Sequence, residues 1–204
     1  MGKLRADISM SLDGFIAGPN DSPDNGLGDG GERLHQWVYG LKAWREPHGM
    51  TGGKEGPDSD VMAESIEGVG ATIMGRRMFD FAEEPWGINP PFHNDVFVVT
   101  HRPREPLLKE GGTTFHFVSS IEEALKQAEG AAGNQHISVA GGASIIQQLL
   151  TLGLLDELQV HIAPVLLGGG RPLFNGMGKT IELKPARVVA SDTVTHIKYQ
   201  PAKK

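Results

Sequence analysis

Three apolar stretches in this chain run straight into small, polar or basic residues: Ile73-Met74-Gly75-Arg76-Arg77, Val98-Val99-Thr100-His101-Arg102 and Ser138-Val139-Ala140-Gly141-Gly142-Ala143-Ser144. If these stretches are parallel strands of an α/β sheet, their carboxyl ends form a ligand crevice, where helix N-termini offer unpaired N–H groups to an anion. Gly141 and Gly142 would let a pyrophosphate approach the backbone, and Ala143 and Ser144 would begin a helix whose dipole favours negative charge. A Gly-Gly pair is equally an ordinary tight turn. Arg76, Arg77, His101 and Arg102 shift the balance, because basic groups at two strand ends suit a phosphate, and a 2′-phosphate in particular. Taken singly, each is a solvated surface charge.

The remaining reactive residue types are less informative. The eight histidines show no H-E-x-x-H or comparable spacing, so no metal is expected. Cysteine is absent, which excludes thiolate catalysis, thiolate metal sites and disulfides. Ser144 lacks the G-x-S-x-G setting of a hydrolase nucleophile. Gly26-Leu27-Gly28-Asp29-Gly30-Gly31 spells out a dinucleotide fingerprint, but Asn20 to Asn25 precede it instead of a strand and Asp29 interrupts it, so a flexible loop is expected. Asp13 is the nearest candidate acid for proton delivery; Asp13-Gly14 is also a turn or bulge signal, and that role is preferred. In Leu158 to Pro164, alternation places Gln159, His161 and Ala163 on one face. His161 could face a substrate pocket there, the better reading being a hydrogen-bonded histidine on a partly solvated sheet face. Trp37 reads as a helix-packing residue that could border a flat substrate.

The elements that must position these residues follow from periodicity. Ala6 to Leu12 alternates as a strand, continuing past Asp13-Gly14 into Phe15 and Ile16. Gly18 to Gly31 is a polar 14-residue loop, expected to lie over a ligand. Leu34, Trp37, Val38, Leu41 and Trp44 predict a helix over 33–44, ended by the Gly-rich stretch 48–57. A short helix follows around 61–67, capped by Asp58, Ser59 or Asp60. Strands are expected over 71–74, 96–100, 114–118 and 136–140, and helices over 76–82, from Ser120 to about Glu129 with Ser120 and Glu123 as a capping box, and over 142–152 with Gly153 as the stop. Residues 156–167 read as extended, and the last third as a terminal hairpin. Strands alternating with helices, then a strand-rich end, imply a single α/β domain over 1–204, with a mixed, mostly parallel sheet and helices on its faces.

Composition sets outer limits. A chain of 204 residues that is 39% hydrophobic and 22% charged can bury one sizeable core. Its net charge of -6 argues against a nucleic-acid surface covering the fold. The start lacks the apolar core of a signal peptide and no run reaches a membrane span, so a cytoplasmic location without a membrane partner is expected.

These motifs, in this order, resemble the dihydrofolate reductase-like family, and within it the group of riboflavin-biosynthesis reductase C-terminal domains. The resemblance spans nearly the whole chain. It is carried by Ser11-Leu12-Asp13-Gly14-Phe15-Ile16-Ala17, Met74-Gly75-Arg76-Arg77-Met78-Phe79, Val99-Thr100-His101-Arg102-Pro103, Val139-Ala140-Gly141-Gly142-Ala143 and Gly153-Leu154-Leu155-Asp156-Glu157-Leu158. Most specific is Ile162-Ala163-Pro164-Val165-Leu166-Leu167-Gly168-Gly169-Gly170-Arg171-Pro172-Leu173-Phe174. The resemblance implies a three-layer fold with a C-terminal β-hairpin, a homodimer, and NADPH bound across the strand ends for hydride transfer to a small molecule. Gly75, Arg76 and Arg77 would hold phosphate, Thr100, His101 and Arg102 the adenosine end, and Ala140 to Ser144 the pyrophosphate. Ser9, Ile16 and Ala17 would border the nicotinamide. The first-helix carboxylate of folate reductases has no clear counterpart, and the zinc deaminase domain of bifunctional riboflavin enzymes has none either. A stand-alone reductase is therefore the expectation, with the riboflavin-pathway reductase of 5-amino-6-(5-phosphoribosylamino)uracil and a non-catalytic nucleotide-binding protein as alternatives.

Overall fold

Alternation of apolar and polar residues decides which face of a strand is buried. In this computed structural model, which describes residues 2–202, it does so across one nine-stranded sheet. The chain contributes β1 (Leu4–Ser11), β2 (Phe15–Ala17), β3 (Val69–Gly75), β4 (Asp95–Val99), β5 (Leu107–Leu108), β6 (Thr114–Val118), β7 (His136–Gly141), β8 (Glu157–Ala163), β9 (Arg171–Pro172), β10 (Leu183–Ala190) and β11 (Thr195–Pro201). The large sheet has the order β10-β11-β8-β1-β7-β3-β4-β6-β5, and β2 pairs with β9 apart from it. Strands β8, β1, β7, β3, β4 and β6 run parallel. The margins are antiparallel: β5 on β6 at one side, and β11 on β8 with β10 outside it at the other, so β10 and β11 form the expected hairpin.

The helices are α1 (Lys42–Arg45), α2 (Pro57–Ile66), α3 (Arg76–Ala82), α4 (Ile121–Ala132) and α5 (Ala143–Leu152). Helices α4 and α5 cover the face that carries Ala71, Ile73, Phe97 and Val139, against which Ala124, Ala128, Ile146 and Leu149 are buried. The intervening strand residues Met74, Val96 and Val98 point to the other face and pack with Phe79 of α3 and Phe115. Two helix starts show how local sequence sets the elements. Ser120 Oγ accepts from the Glu123 N–H at 3.2 Å, while the Glu123 carboxylate reaches back one residue further than in a standard capping box, to Ser119 N at 3.0 Å. Gly142 precedes α5, and Gly153 ends it in a left-handed conformation (φ 72°).

The expected helix over 33–44 does not form. A 3-10 turn covers Gly31–Leu34, and tight i→i+3 bonds continue from His35 N to Glu32 O, Val38 N to His35 O and Leu41 N to Val38 O. Leu34, Trp37 and Leu41, spaced by three and four, still reach one side of this run of turns, and burial of these side chains (0%, 8% and 4% exposed) overrides the helical alternative. Helix α2 begins at Pro57, earlier than expected, because proline is well placed in a first helical turn; this leaves the side chain of Asp58 available for a tertiary contact. The first strand does not continue through Asp13-Gly14 as expected: it ends at Ser11 in a turn, with Gly14 N bonded to Ser11 O at 2.9 Å, and Phe15–Ala17 pairs with β9 instead.

The loop 18–31 is closed on itself by hydrogen bonds. Gly18 N donates to Leu27 O and Asp29 N to Pro19 O, each at 2.8 Å, and the Asp29 carboxylate accepts from the amides of Asn20 and Asn25. The interruption of the glycine fingerprint by Asp29 therefore serves to close the loop. Gly28 (φ 69°) permits it: a Cβ there would lie 2.2 Å from Gly18 O.

Two substitutions test this account. Leu149→Ala, at a fully buried α5 position, is expected to cost about 2–5 kcal/mol, and Ser120→Ala about 1 kcal/mol. Both should lower the urea midpoint without changing the m-value.

Candidate functional site

The three strand-end junctions meet. Strands β7, β3 and β4 are adjacent and parallel, with Met74 opposite Gly141 and Gly75 opposite Val99, so Gly75, Thr100 and Gly142 line one edge of the sheet. Gly75 is close to its neighbour: a Cβ there would lie 3.3 Å from Ile145 and 3.5 Å from Gly142 N. Gly141 needs glycine (φ 134°) and is joined to Gly142 by a cis peptide bond. Above Gly142 nothing comes within 4 Å of where a Cβ would stand, and no side chain caps the first turn of α5. Ala143 and Ser144 open that helix with Ser144 exposed, while Ala140 precedes the pair on the α3 side, packed with Met78 and Phe79.

Arginines at this edge outnumber the carboxylates they share. Arg76 Nε donates to Asp80 Oδ1 at 2.6 Å and Arg102 to Asp80 Oδ2 at 2.5 Å, leaving one unit of positive charge on the trio. These bonds hold the Asp80 carboxyl below its usual range against the opposing effect of burial. Thr100 Oγ1 accepts the Arg102 N–H at 3.0 Å and so shapes the turn after β4, on which His101 is exposed. Arg77 behaves differently. With Arg171 it clasps Asp21, at 2.8 and 3.0 Å, so it ties the loop 18–31 to α3 and to β9.

On β2, Ala17 is buried and Ile16 packs on the main core. Asp13 is fully engaged as an acceptor, from Ser11 Oγ at 2.6 Å, Gly168 N at 2.7 Å and Leu167 N at 3.1 Å. The Ser11 hydroxyl, followed by these backbone groups, holds its carboxyl below the usual range. These bonds give Asp13 the turn-holding role that the sequence favours over proton delivery.

His161 corrects the sequence reading of its surroundings. Its sheet face is not solvated: His161 is 1% exposed, beside the equally buried His196, and Trp37 covers both rings at centroid distances of 4.7 and 4.9 Å. Trp37 Nε1 donates to Ser9 Oγ at 3.2 Å, so Ser9 faces this polar layer. Strand pairing puts Ser9, His161 and His196 in one cross-strand row. Burial, then the charge of His161, lowers His35 to about 4, and its Nδ1 is buried without a hydrogen-bond partner among the described residues. Sequence reasoning missed Asp7, Asp58, Asp80 and His196, each of which reads in isolation as an ordinary strand or helix polar residue. The polar positions Asp7 and Ser9, alternating within β1, were the one available signal for a polar layer.

A separate small cleft opens at the amino ends of β1 and β8, lined by Arg5, Asp7, Glu64, Gln159 and Lys198 among others. Its charges are mutually satisfied: Lys198 and Arg187 pair with Glu64, and Arg5 donates to carbonyls at the end of α2. The strand-carboxyl edge is therefore the stronger candidate for ligand binding. Among the described residues, no group of three or more His, Asp or Glu could hold a metal, and no helix is long and apolar enough to cross a membrane.

Comparison with known proteins agrees with this architecture. The family model for the RibD C-terminal domain matches residues 2–197. An uncharacterised Bacillus subtilis protein, YyaP, is 27% identical, covering 89% of this chain and 85% of its own. Among solved structures, a putative riboflavin biosynthesis protein from Shewanella sp. PV-4 superposes with a TM-score of 0.68 at 22% identity, over 99% of both chains. Dihydrofolate reductase from Enterococcus faecalis, complexed with NADP(H) and RAB-propyl, superposes with a TM-score of 0.55 at 15% identity, over 98% of this chain and 96% of that one.

His35 generates a pH prediction. An unfolded histidine protonates near 6.5, whereas His35 stays neutral in the fold down to about 4, so the unfolded state binds more protons between these values. Stability is lost as pH falls from 6.5 to 4, by on the order of 3 kcal/mol. His35→Phe should remove that loss, measured as the difference in urea denaturation between pH 7 and pH 4.5.

Proposed function

The chain belongs to the RibD C-terminal domain family, and from that premise we propose that it is an NADPH-dependent reductase acting on a carbonyl or imine carbon of a small molecule. The observation that carries this reading is the meeting of three glycine- or arginine-bearing strand ends at one edge of a parallel sheet. When bound, NADPH would supply the hydride from its nicotinamide. The protein's part is orientation and charge.

The residues present fit that cofactor. The open space above Gly142 and the uncapped start of α5 suit a pyrophosphate, whose oxygens would take the place of a capping side chain. Two arginines sharing Asp80 leave a positive charge for a further phosphate, and Arg102, 66% exposed at its side chain, can turn toward a 2′-phosphate without leaving the turn that Thr100 holds. Ser9 of β1 and Ile16 and Ala17 of β2 would border the nicotinamide. Asp13 acts at a distance from the chemistry by fastening the β1–β2 turn to the segment 167–168, and Arg77 does the same for the loop 18–31. With Asp13 ionised, water is the proton donor this reading favours.

The alternative within this reading is a specific substrate, the 5-amino-6-(5-phosphoribosylamino)uracil of riboflavin biosynthesis, which family membership suggests. A nucleotide-binding protein without turnover is the competing reading. Titration calorimetry with NADPH and NADH in parallel separates these outcomes, followed by NADPH oxidation with the pyrimidine substrate. Binding of NADPH in preference to NADH supports the proposal, turnover of the pyrimidine supports the pathway assignment, and binding without turnover of any carbonyl acceptor supports the non-catalytic reading. Binding of neither nicotinamide overturns the proposal. Arg76→Ala and Arg102→Ala should each weaken NADPH binding by about 10- to 150-fold, the loss of one charged hydrogen bond worth roughly 1.5–3 kcal/mol. For Arg102→Ala the NADH affinity should be unchanged.

A further inference from the structure

On the sheet face opposite α4 and α5, strand register brings two imidazoles into contact. His161 of β8 is the cross-strand partner of His196 of β11, and their Nδ1 atoms are 2.6 Å apart. Each ring has its other nitrogen on a carboxylate: His161 Nε2 is 2.6 Å from Asp7 Oδ1, and His196 Nε2 is 3.2 Å from Asp58 Oδ1. The carboxylates are themselves hydrogen-bonded, Asp7 by Ser65 Oγ at 2.5 Å and Asp58 by Ser191 Oγ at 2.9 Å.

The protons of this chain can be counted. Two ring nitrogens at hydrogen-bond distance need one proton between them, since with none two lone pairs face each other and with two the N–H groups collide. Ionised carboxylates at the far ends accept N–H from both Nε2 atoms. Four ring nitrogens then carry three protons, one more than two neutral imidazoles have. We propose that His161 and His196 hold a single extra proton as a pair, shared between their Nδ1 atoms, and that this buried charge is a pH-responsive latch fastening α2 and the Trp37 segment to the sheet.

Every element packed against the pair contributes to its setting. Strand β1 presents Asp7, α2 presents Asp58, and the segment before α1 presents the neutral His35. One row further along the same face, Lys198 of β11 pairs with Glu64 of α2. The pair's one positive charge thus lies between two carboxylates. The same geometry resists a second proton, in keeping with the downward shift of His196, which burial and then the charge of His161 produce. Helix α2 depends on the pair at both ends, through Asp58 at its start and through Ser65 on Asp7 near its close.

Linkage sets the consequence. Two unfolded histidines hold nearly two extra protons at pH 5 and almost none at pH 8, whereas the geometry of the folded pair accommodates one. Above about pH 6.5 the folded state binds more protons, so stability falls as pH rises. Below it the unfolded state binds more, so stability falls as pH drops. Each limb approaches about a tenfold change in the unfolding equilibrium per pH unit, and the latch is tightest near neutrality.

The test is imidazole nitrogen-15 NMR of the whole protein between pH 5 and 8.5, joined to urea denaturation of wild type and His196→Gln over the same range. Expected are three N–H protons on the four ring nitrogens near pH 6.5, one of them in a strongly downfield Nδ1 hydrogen bond, and a stability maximum there. In His196→Gln one histidine remains for one proton. Its acid-side loss should shrink by the pair's share, leaving that of His35, His136 and the ion-paired carboxylates, while the alkaline-side loss persists. Two neutral rings or two imidazolium rings at pH 6.5, or an unchanged acid-side slope in the variant, would overturn the proposal. If the variant does not fold, the proton count in wild type decides alone.

Discussion

Strand β1 is hydrogen-bonded in parallel to both β7 and β8, with Ala6 opposite Val139 on one side and Leu158 on the other. A strand held on both edges cannot slip by one residue without turning every side chain to the wrong face. Ile8 and Met10 must therefore join the core under α4 and α5, while Asp7 and Ser9 must point to the opposite face. That constraint creates a buried polar row. The sequence answers it with the histidines of β8 and β11, the carboxylates of β1 and α2, and the indole of Trp37, so that the buried polar groups find partners.

The same parallel register generates the strand-carboxyl edge. With β7, β3 and β4 side by side and in step, their ends come level, and whatever residues follow them share one rim of the sheet. Small residues follow β7, arginines follow Gly75 at the end of β3, and a basic turn follows β4. The charge at this rim is local in a chain that is acidic as a whole, and it is arranged economically, two arginines to one aspartate at Asp80 and again at Asp21. The first trio lies beside the open space over Gly142. The second closes the glycine-rich loop against α3, which gives two neighbouring arginines different work although they adjoin in sequence.

The dihydrofolate reductase-like fold thus combines two polar regions with distinct physics. The rim is exposed, positively charged and short of side-chain caps, which suits a ligand that brings its own negative charge. The layer beneath Trp37 is buried and, among the described residues, has hydrogen-bond partners for its buried side-chain polar atoms apart from His35 Nδ1 and Gln159 Nε2, which suits a structural role in which a proton, and not a ligand, is the exchangeable part.

Much of this was legible in sequence because it depends on local patterns. Period-two alternation marked the central strands, the Ser120 and Glu123 signature marked α4, Gly142 and Gly153 bounded α5, and the three strand-to-glycine or strand-to-arginine junctions were visible as words. The segment 33–44 was misread because apolar residues spaced by three and four satisfy a helix and a run of tight turns alike, and only packing on the sheet chooses between them. The loop 18–31 looked mobile because its order rests on Asp29 meeting Asn20 and Asn25, and on Asp21 meeting Arg77 and Arg171, contacts between residues whose types are those of any polar loop. His161 could be assigned to a face, but its partner His196 lies 35 positions away. By itself, then, the sequence determined the elements, their faces and the residues at the strand ends, all properties of neighbours along the chain. Tertiary structure alone decided which strand ends became adjacent and which carboxylate each cation or imidazole received, because pairing order and register join residues whose separation in sequence carries no information about their separation in space.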